Sequence, residues 1–330
     1  MSKVLPLLSM AFEPGQAGEM VETIEDEDYR NIARAELYYF LGDGETCSHT
    51  VEKYLSDKRA DIRLSAELLY VYSNMALGKA GLSQKTLNDI LLEAEKERKS
   101  PCRRTQAMAV FAAYLAKVLL HLPSDDLPAY MDYIGELPHG LRLFASYIVA
   151  HAIYLDGDYG RALGLCQGAM IFSRHEYPIS FIYIYMVQAM CYINMKQTTK
   201  AKESFMKSWN IAAKDGFLQP FVEHHGLLQG LLESCIKKKN SKVYKKIIDR
   251  VFIFSRGWMA VHNKEAKDHV TDALSAMEFS IAMLACRDWT NQEIADYLGM
   301  SINTVKHHIS TIFVKLDVKK REELKKAVLR

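Results

Sequence analysis

From residue 20 to residue 256, apolar side chains return at i, i+3, i+4 and i+7, with almost none of the alternation a strand needs. That pattern limits the region to helices. "AELLYVYSNMAL", "AMAVFAAYLAKVLL", "LRLFASYIVAHAIYL" and "FIYIYMVQAMCYI" each read as a helix rich in small and aromatic residues. A break follows each one, and then a more polar helix such as "GDYGRALGLCQGAMIFS" or "KQTTKAKESFMKSWNIA". The two clearest units superpose with a shift of 39 residues, which places Gly157 on Lys196, Ala162 on Ala201 and Ala150 on Ala189. Breaks at Gly42, Gly78 and near Pro123 continue the rhythm. Such a period predicts stacked helix–turn–helix units, none of which can bury its apolar stripe alone.

The units resemble tetratricopeptide-like repeats, most closely in "YLDGDYGRAL". The resemblance implies a superhelical array with a concave surface that takes a peptide, a protein or a small ligand. Tyr38, Tyr39, Tyr70, Tyr72, Tyr147, Tyr154, Tyr183 and Tyr185 lie on the first helices, where inter-helix packing is the expected role and a ligand groove the alternative. His224 and His225 are expected on helix surfaces.

The chemistry-bearing motifs are absent. There is no GxxxxGK loop, GxSxG or HExxH, and "GKAGLSQKT" has the wrong spacing for a phosphate loop. Cys47, Cys102, Cys166, Cys191, Cys235 and Cys286 stand singly, with no CxxC pair, as free thiols of a reducing compartment would. "VLPLLSMAF" is too short to span a membrane and is not expected to be a signal peptide. These features predict a cytoplasmic protein that is not an enzyme, with no catalytic, metal or cofactor site.

Charge is unevenly placed. From residue 237 on there are 19 Lys and Arg against 11 Asp and Glu; before it there are 23 against 29. The basic end points to an anionic partner. The lysine cluster at 237–239 leads into a helix with Val243, Ile247, Val251 and Phe254 on one face, read as the last of the array. After Gly257 the composition turns polar. The expected organisation is therefore an array over 1–256, a linker over 257–272 and a C-terminal domain over 273–330.

The most specific pattern lies in "TNQEIADYLGMSINTVKHHISTIFVKLDV". Thr290 and Glu293 have capping-box spacing. Gly299 can end that helix in a left-handed conformation, and Ser301 can cap the next. Val305, Ile309, Ile312 and Leu316 then form an inward stripe. This is a helix-turn-helix. At about 100° per residue, His307 points away from the stripe with Asn303, Ser310 and Val314, while His308 sits at its edge. Two adjacent histidines so divergent do not make a metal site, which on one helix needs i, i+4 spacing. Thr304, Lys306 and Thr311 flank the outer face.

"LSAMEFSIAML", "TNQEIADYLGMS", "NTVKHHISTIFVKLDV" and "KREELKKAV" resemble, in order, the four helices of the LuxR/GerE-type DNA-binding domain. By that resemblance Thr304, Lys306, His307 and Ser310 face DNA, Lys315 and Arg321 occupy characteristic positions, and the last helix pairs two subunits. Asn303 and Thr311 complete the reading face, and Lys315, Lys319, Lys320 and Arg321 suit phosphates at its rim. Met277 before Glu278, and Asp288 ahead of the second helix, depart from the family pattern. The whole chain is similar to bacterial LuxR-type regulators of the MalT-like group, without their ATPase module. The resemblance implies an all-α protein that binds double-stranded DNA as a homodimer, at least on DNA, while its array takes an effector or protein partner. The alternative is an interaction scaffold whose helix-turn-helix serves docking.

Overall fold

The computed structural model describes residues 4–122, 127–171, 173–262 and 273–328. Among these, all regular structure is helical. Two short N-terminal helices, α1 (Pro6–Ser9) and α2 (Ala17–Glu22), precede a run of hairpins. These are α3 (Glu27–Leu41) with α4 (Gly44–Glu52), α5 (Ala60–Ala76) with α6 (Ala80–Glu97), α8 (His139–Leu155) with α9 (Tyr159–Ile171), and α10 (Pro178–Asn194) with α11 (Thr198–Asp215). Between the second and third of these, α7 (Arg103–Leu119) is followed by two 3-10 turns, Tyr130–Asp132 and Ile134–Glu136, in place of a second helix.

Each of the four hairpin turns is marked by one residue with positive φ, Gly42, Gly78, Gly157 and Lys196, and His121 has the same conformation where α7 ends. Gly157 and Lys196 are the residues that the 39-residue shift superposes, so the repeat is conformational as well as compositional. Lys196 holds a φ of 56° there without the freedom of glycine. Ala162 and Ala201 are fully buried where the paired helices approach.

Both ends of the array turn back onto its first helices. At the front, Val4, Leu5, Leu7 and Leu8 are buried. The Glu36 carboxyl oxygens accept from the Leu7 and Leu8 N–H groups at 2.9 Å each, and Leu5 N–H donates to Ser65 Oγ at 2.9 Å. At the back, α12 (Gln219–Glu223) packs against α3, and Leu218 N–H donates to the Phe40 carbonyl at 2.9 Å. Asp215, at the end of α11, accepts from Gly15 and Ala17 N–H at 2.7 and 2.9 Å. Two short helices, α13 (His225–Leu228) and α14 (Leu231–Cys235), lead to the 22-residue α15 (Ser241–His262), which crosses α5 and α6.

Two expectations change here. α15 continues through Gly257 to His262, so residues 257–262 are helix rather than linker; 263–272 lie outside the described residues. Gly257 is a contact point: a Cβ there would sit 2.4 Å from the Met75 carbonyl oxygen, so its absence lets α15 press onto α5. His224 and His225, expected on the surface, are 3% and 1% exposed. The α12–α14 segment is enclosed between the array and the C-terminal domain and leaves them no solvent side.

The C-terminal domain has four helices, α16 (Ala276–Cys286), α17 (Asn291–Leu298), α18 (Ile302–Lys315) and α19 (Arg321–Val328). It docks through α16 on α13 and through α17 on α14. The approach is close. A Cβ on Gly226 or Gly230 would lie 2.7 Å from Phe279 or 2.6 Å from Leu298. Tyr297 is buried in the seam, Lys196 pairs with Glu293 at 3.0 Å, and Arg287 donates to the Tyr154 hydroxyl at 3.4 Å. No helix among the described residues is long and apolar enough to cross a membrane.

Candidate nucleic-acid interface

The four-helix domain is assembled largely by local signals. Thr290 Oγ1 accepts from Glu293 N–H, and the Glu293 carboxylate accepts from Thr290 N–H, a complete capping box at the start of α17. Gly299 ends α17 with φ 66°, and Ser301 Oγ accepts from Thr304 N–H at 3.1 Å to open α18. Val305, Ile309 and Ile312 are buried, and Leu316 is half-buried at the end of the stripe. Each fully buried aliphatic side chain stabilises the domain by roughly 2 kcal/mol. Ile281, Leu284, Ile294, Ala295 and Leu324 complete the core from the other helices.

The opposite face of α18 is open. Asn303, Thr304, Lys306, His307 and Ser310 are all exposed, and Val314 is 82% exposed at the far end of the same face. The His307 and His308 ring centres lie 6.2 Å apart with the rings tilted 53°, His307 outward and His308 half-buried. Among the described residues, no group of three His, Cys, Asp or Glu is placed to hold a metal. Thr311 is half-buried, and its hydroxyl donates to the His307 carbonyl at 3.0 Å. The Thr304 hydroxyl lies 2.8 Å from Ser301 Oγ. Donors, acceptors, a cation and an apolar tip therefore share one face, a mixture with the chemistry to meet base edges.

The basic residues fall into two groups. Lys306, Lys319 and Lys320 are exposed, with no ion pair among the described residues. Lys315 and Arg321 are held within the domain. Lys315 Nζ pairs with Glu278 Oε2 at 2.7 Å, and Arg321 donates to the Trp289 carbonyl and to Asn291 Oδ1. Burial alone would raise the Glu278 carboxyl; Lys315 and the Ser275 N–H and hydroxyl hold it below the ordinary value. Glu278 also forms a second capping box, with Ser275, at the start of α16. Its S-x-x-E spacing matches the T-x-x-E of the box at Thr290 and is legible in the sequence in the same way. Asp288 adopts φ 59°, the left-handed conformation that Asp tolerates better than most residues.

A second set of polar residues gathers where the array meets this domain. His121, His151, His224, Asn194, Trp258 and Arg287 line one cleft, and the sequence reading singled out only His224 among them. His151 in "IVAHAIYL", a lone imidazole in an apolar helix, was the available signal.

Residues 272–327 match the family of bacterial regulatory proteins, luxR family (GerE). Comparison with the curated proteins and with the solved structures gives no match. The C-terminal segment of this chain is thus a LuxR-family helix-turn-helix domain, the DNA-binding module of transcription regulators.

Proposed function

We propose that the protein is a transcription regulator in which α18 reads the major groove, a homodimer forms on DNA, and the array binds an effector or partner that sets promoter occupancy. The observation that carries this reading is the outward row Asn303, Thr304, Lys306, His307 and Ser310, exposed on a helix whose other face is core. The docked arrangement supports it: α16 and α17 face the array, and the α18 row stays open. Lys319 and Lys320 follow at the rim, suited to phosphate contacts that fix register. A two-fold pair would require an inverted repeat with half-sites about one helical turn apart.

Selection of DNA by the purified chain, followed by footprinting, tests the reading. Lys306→Ala and His307→Ala should relax sequence preference, whereas Lys319→Ala should weaken all sequences alike. Equal, sequence-independent losses from all three would contradict the face assignment. No measurable affinity at low salt would leave the docking scaffold as the better account.

A further inference from the structure

A cleft of about 1680 Å³ runs between the array and the DNA-binding domain. One wall is array: His121, His151, His224, Phe252 and Trp258. The other is the LuxR-type domain: Phe279, Met283 and Arg287 from α16, with Lys325 and Val328 from α19. Pockets that enclose small organic ligands are typically about 300–1,000 Å³, so this one has room for such a molecule at one end.

The two ends differ chemically. Near Arg287 the lining carries buried polar atoms that find no partner among the described residues: Arg287 Nη1, His151 Nδ1 and Asn194 Oδ1. His151 is 2% exposed, and its Nε2 is shared with His121 Nε2 at 3.4 Å. Among the described residues, the hydrogen-bond partner of Arg287 is the Tyr154 hydroxyl, at 3.4 Å. Asp156 and Asp288 line the same cleft, but both are exposed and neither pairs with Arg287. A buried guanidinium N–H without an acceptor is costly, and an anionic oxygen is its best complement. Away from this end the lining is Trp258, Phe252, Phe254, Phe279 and Met283, an apolar and largely aromatic surface.

We propose that this cleft is a binding site for a small organic acid, with the anionic group on Arg287 and His151 and an apolar, ring-bearing body against Trp258, Phe279 and Met283. Calling that acid the effector rests on the regulator reading above; its binding does not. Because the walls belong to different parts of the chain, a molecule in the cleft touches both and favours the docked arrangement. Any arrangement that DNA prefers is then linked to ligand affinity, and reciprocally.

The test uses two dyes with the same rings, anilinonaphthalene sulfonate and the uncharged phenylnaphthylamine, titrated by fluorescence into the full chain. The proposal expects one saturable site for the sulfonate. Arg287→Gln should weaken the sulfonate about tenfold, the worth of one charge-assisted contact, and leave the uncharged dye within about twofold. Met283→Trp, which fills the apolar end, should weaken both dyes. A cooperative thermal melt of each variant separates lost binding from lost fold. Non-saturable sulfonate binding, or equal effects of Arg287→Gln on both dyes, overturns the proposal. DNA affinity measured on the same variants keeps the two readings apart. Sulfonate binding without DNA binding removes the regulator and keeps the site; DNA binding without a sulfonate site does the reverse.

Discussion

The chain contains two His–His pairs, one in each region, and their surroundings are opposite. His307 and His308 lie on α18, which has a solvent side, so one ring points outward and the other rests at the core edge. His224 and His225 lie at the α12–α13 junction, which has none, and both are enclosed. His224 accepts from the Tyr147 hydroxyl at Nε2, 2.9 Å away, and donates from Nδ1 to the Pro220 carbonyl at 3.0 Å. His225 Nε2 lies 2.8 Å from the Glu233 carboxylate. The DNA-binding domain wears most of its polar residues outside, with Glu278 and Ser280 the buried ones among those described. The array carries Glu36, His151, His224 and Glu233 inside and gives each at least one hydrogen-bond partner there. Helical phase decides a side chain's side only where the helix has a free side.

The largest test of that contrast is a pair of truncations. His224→Ala removes two hydrogen bonds and leaves a cavity among Tyr147, Tyr183 and His151, and should cost on the order of 2–4 kcal/mol. His307→Ala should change stability by less than about 0.5 kcal/mol while altering DNA preference. Similar losses of stability from both, measured by denaturant unfolding, would erase the distinction.

Titration sharpens it next. Burial pushes the Glu36 and Glu67 carboxyls up to about 8 and Glu223 to about 7, the last despite hydrogen bonds from the Tyr39 and Tyr183 hydroxyls. Unfolded, these groups lose their protons near 4.3. As pH rises above that value the unfolded chain releases protons that the fold keeps, so stability falls until about pH 8. Burial also depresses His224, to about 4, and His151, but these groups cost stability only below about pH 6.5. From about pH 6.5 to 8 the carboxyls act alone. The unfolding free energy should drop over that interval by up to about 1.4 kcal/mol per pH unit for each proton, seen as a falling melting temperature, and Glu36→Gln should flatten the drop. A flat profile would mean that these carboxyls are not buried as described.

Glycine exchanges should follow the packing as well. Gly257→Ala meets the Met75 carbonyl and should cost about 1–3 kcal/mol. Gly164→Ala, in a helix of the same array with open space around it, should stabilise by about 0.5–1 kcal/mol. The smallest effect is expected in the DNA-binding domain, where Asp288→Gly should relieve the left-handed backbone and stabilise by at most about 1 kcal/mol. Thermal melts of the three variants check the order.

What the sequence made legible was local. The Thr290–Glu293 box, the Gly299 stop, the Ser301 cap and the divergence of His307 from His308 each depend on neighbours within one or two turns. The 39-residue shift was legible too, because both units carry the same turn geometry. Long-range contacts were not. Nothing near Lys315 announces Glu278, and nothing near Arg321 announces the Trp289 carbonyl, so two cations placed on the phosphate rim are also bound within the domain. Gly257 has the local look of a break, and only the approach of α5 explains its place inside a helix. The cleft is the extreme case, since His151, Trp258 and Arg287 come from three distant segments.

Binding of the full chain to its selected DNA as a function of salt concentration tests the central claim most directly. The account predicts saturable binding whose affinity falls linearly on logarithmic axes, with a slope of about −0.9 for each phosphate neutralised. Lys319→Ala should reduce that slope by about one contact per subunit, and His307→Ala should leave it unchanged while lowering discrimination against mismatched sites. Affinity that is absent at low salt, or that does not respond to salt or to the α18 face, would contradict it.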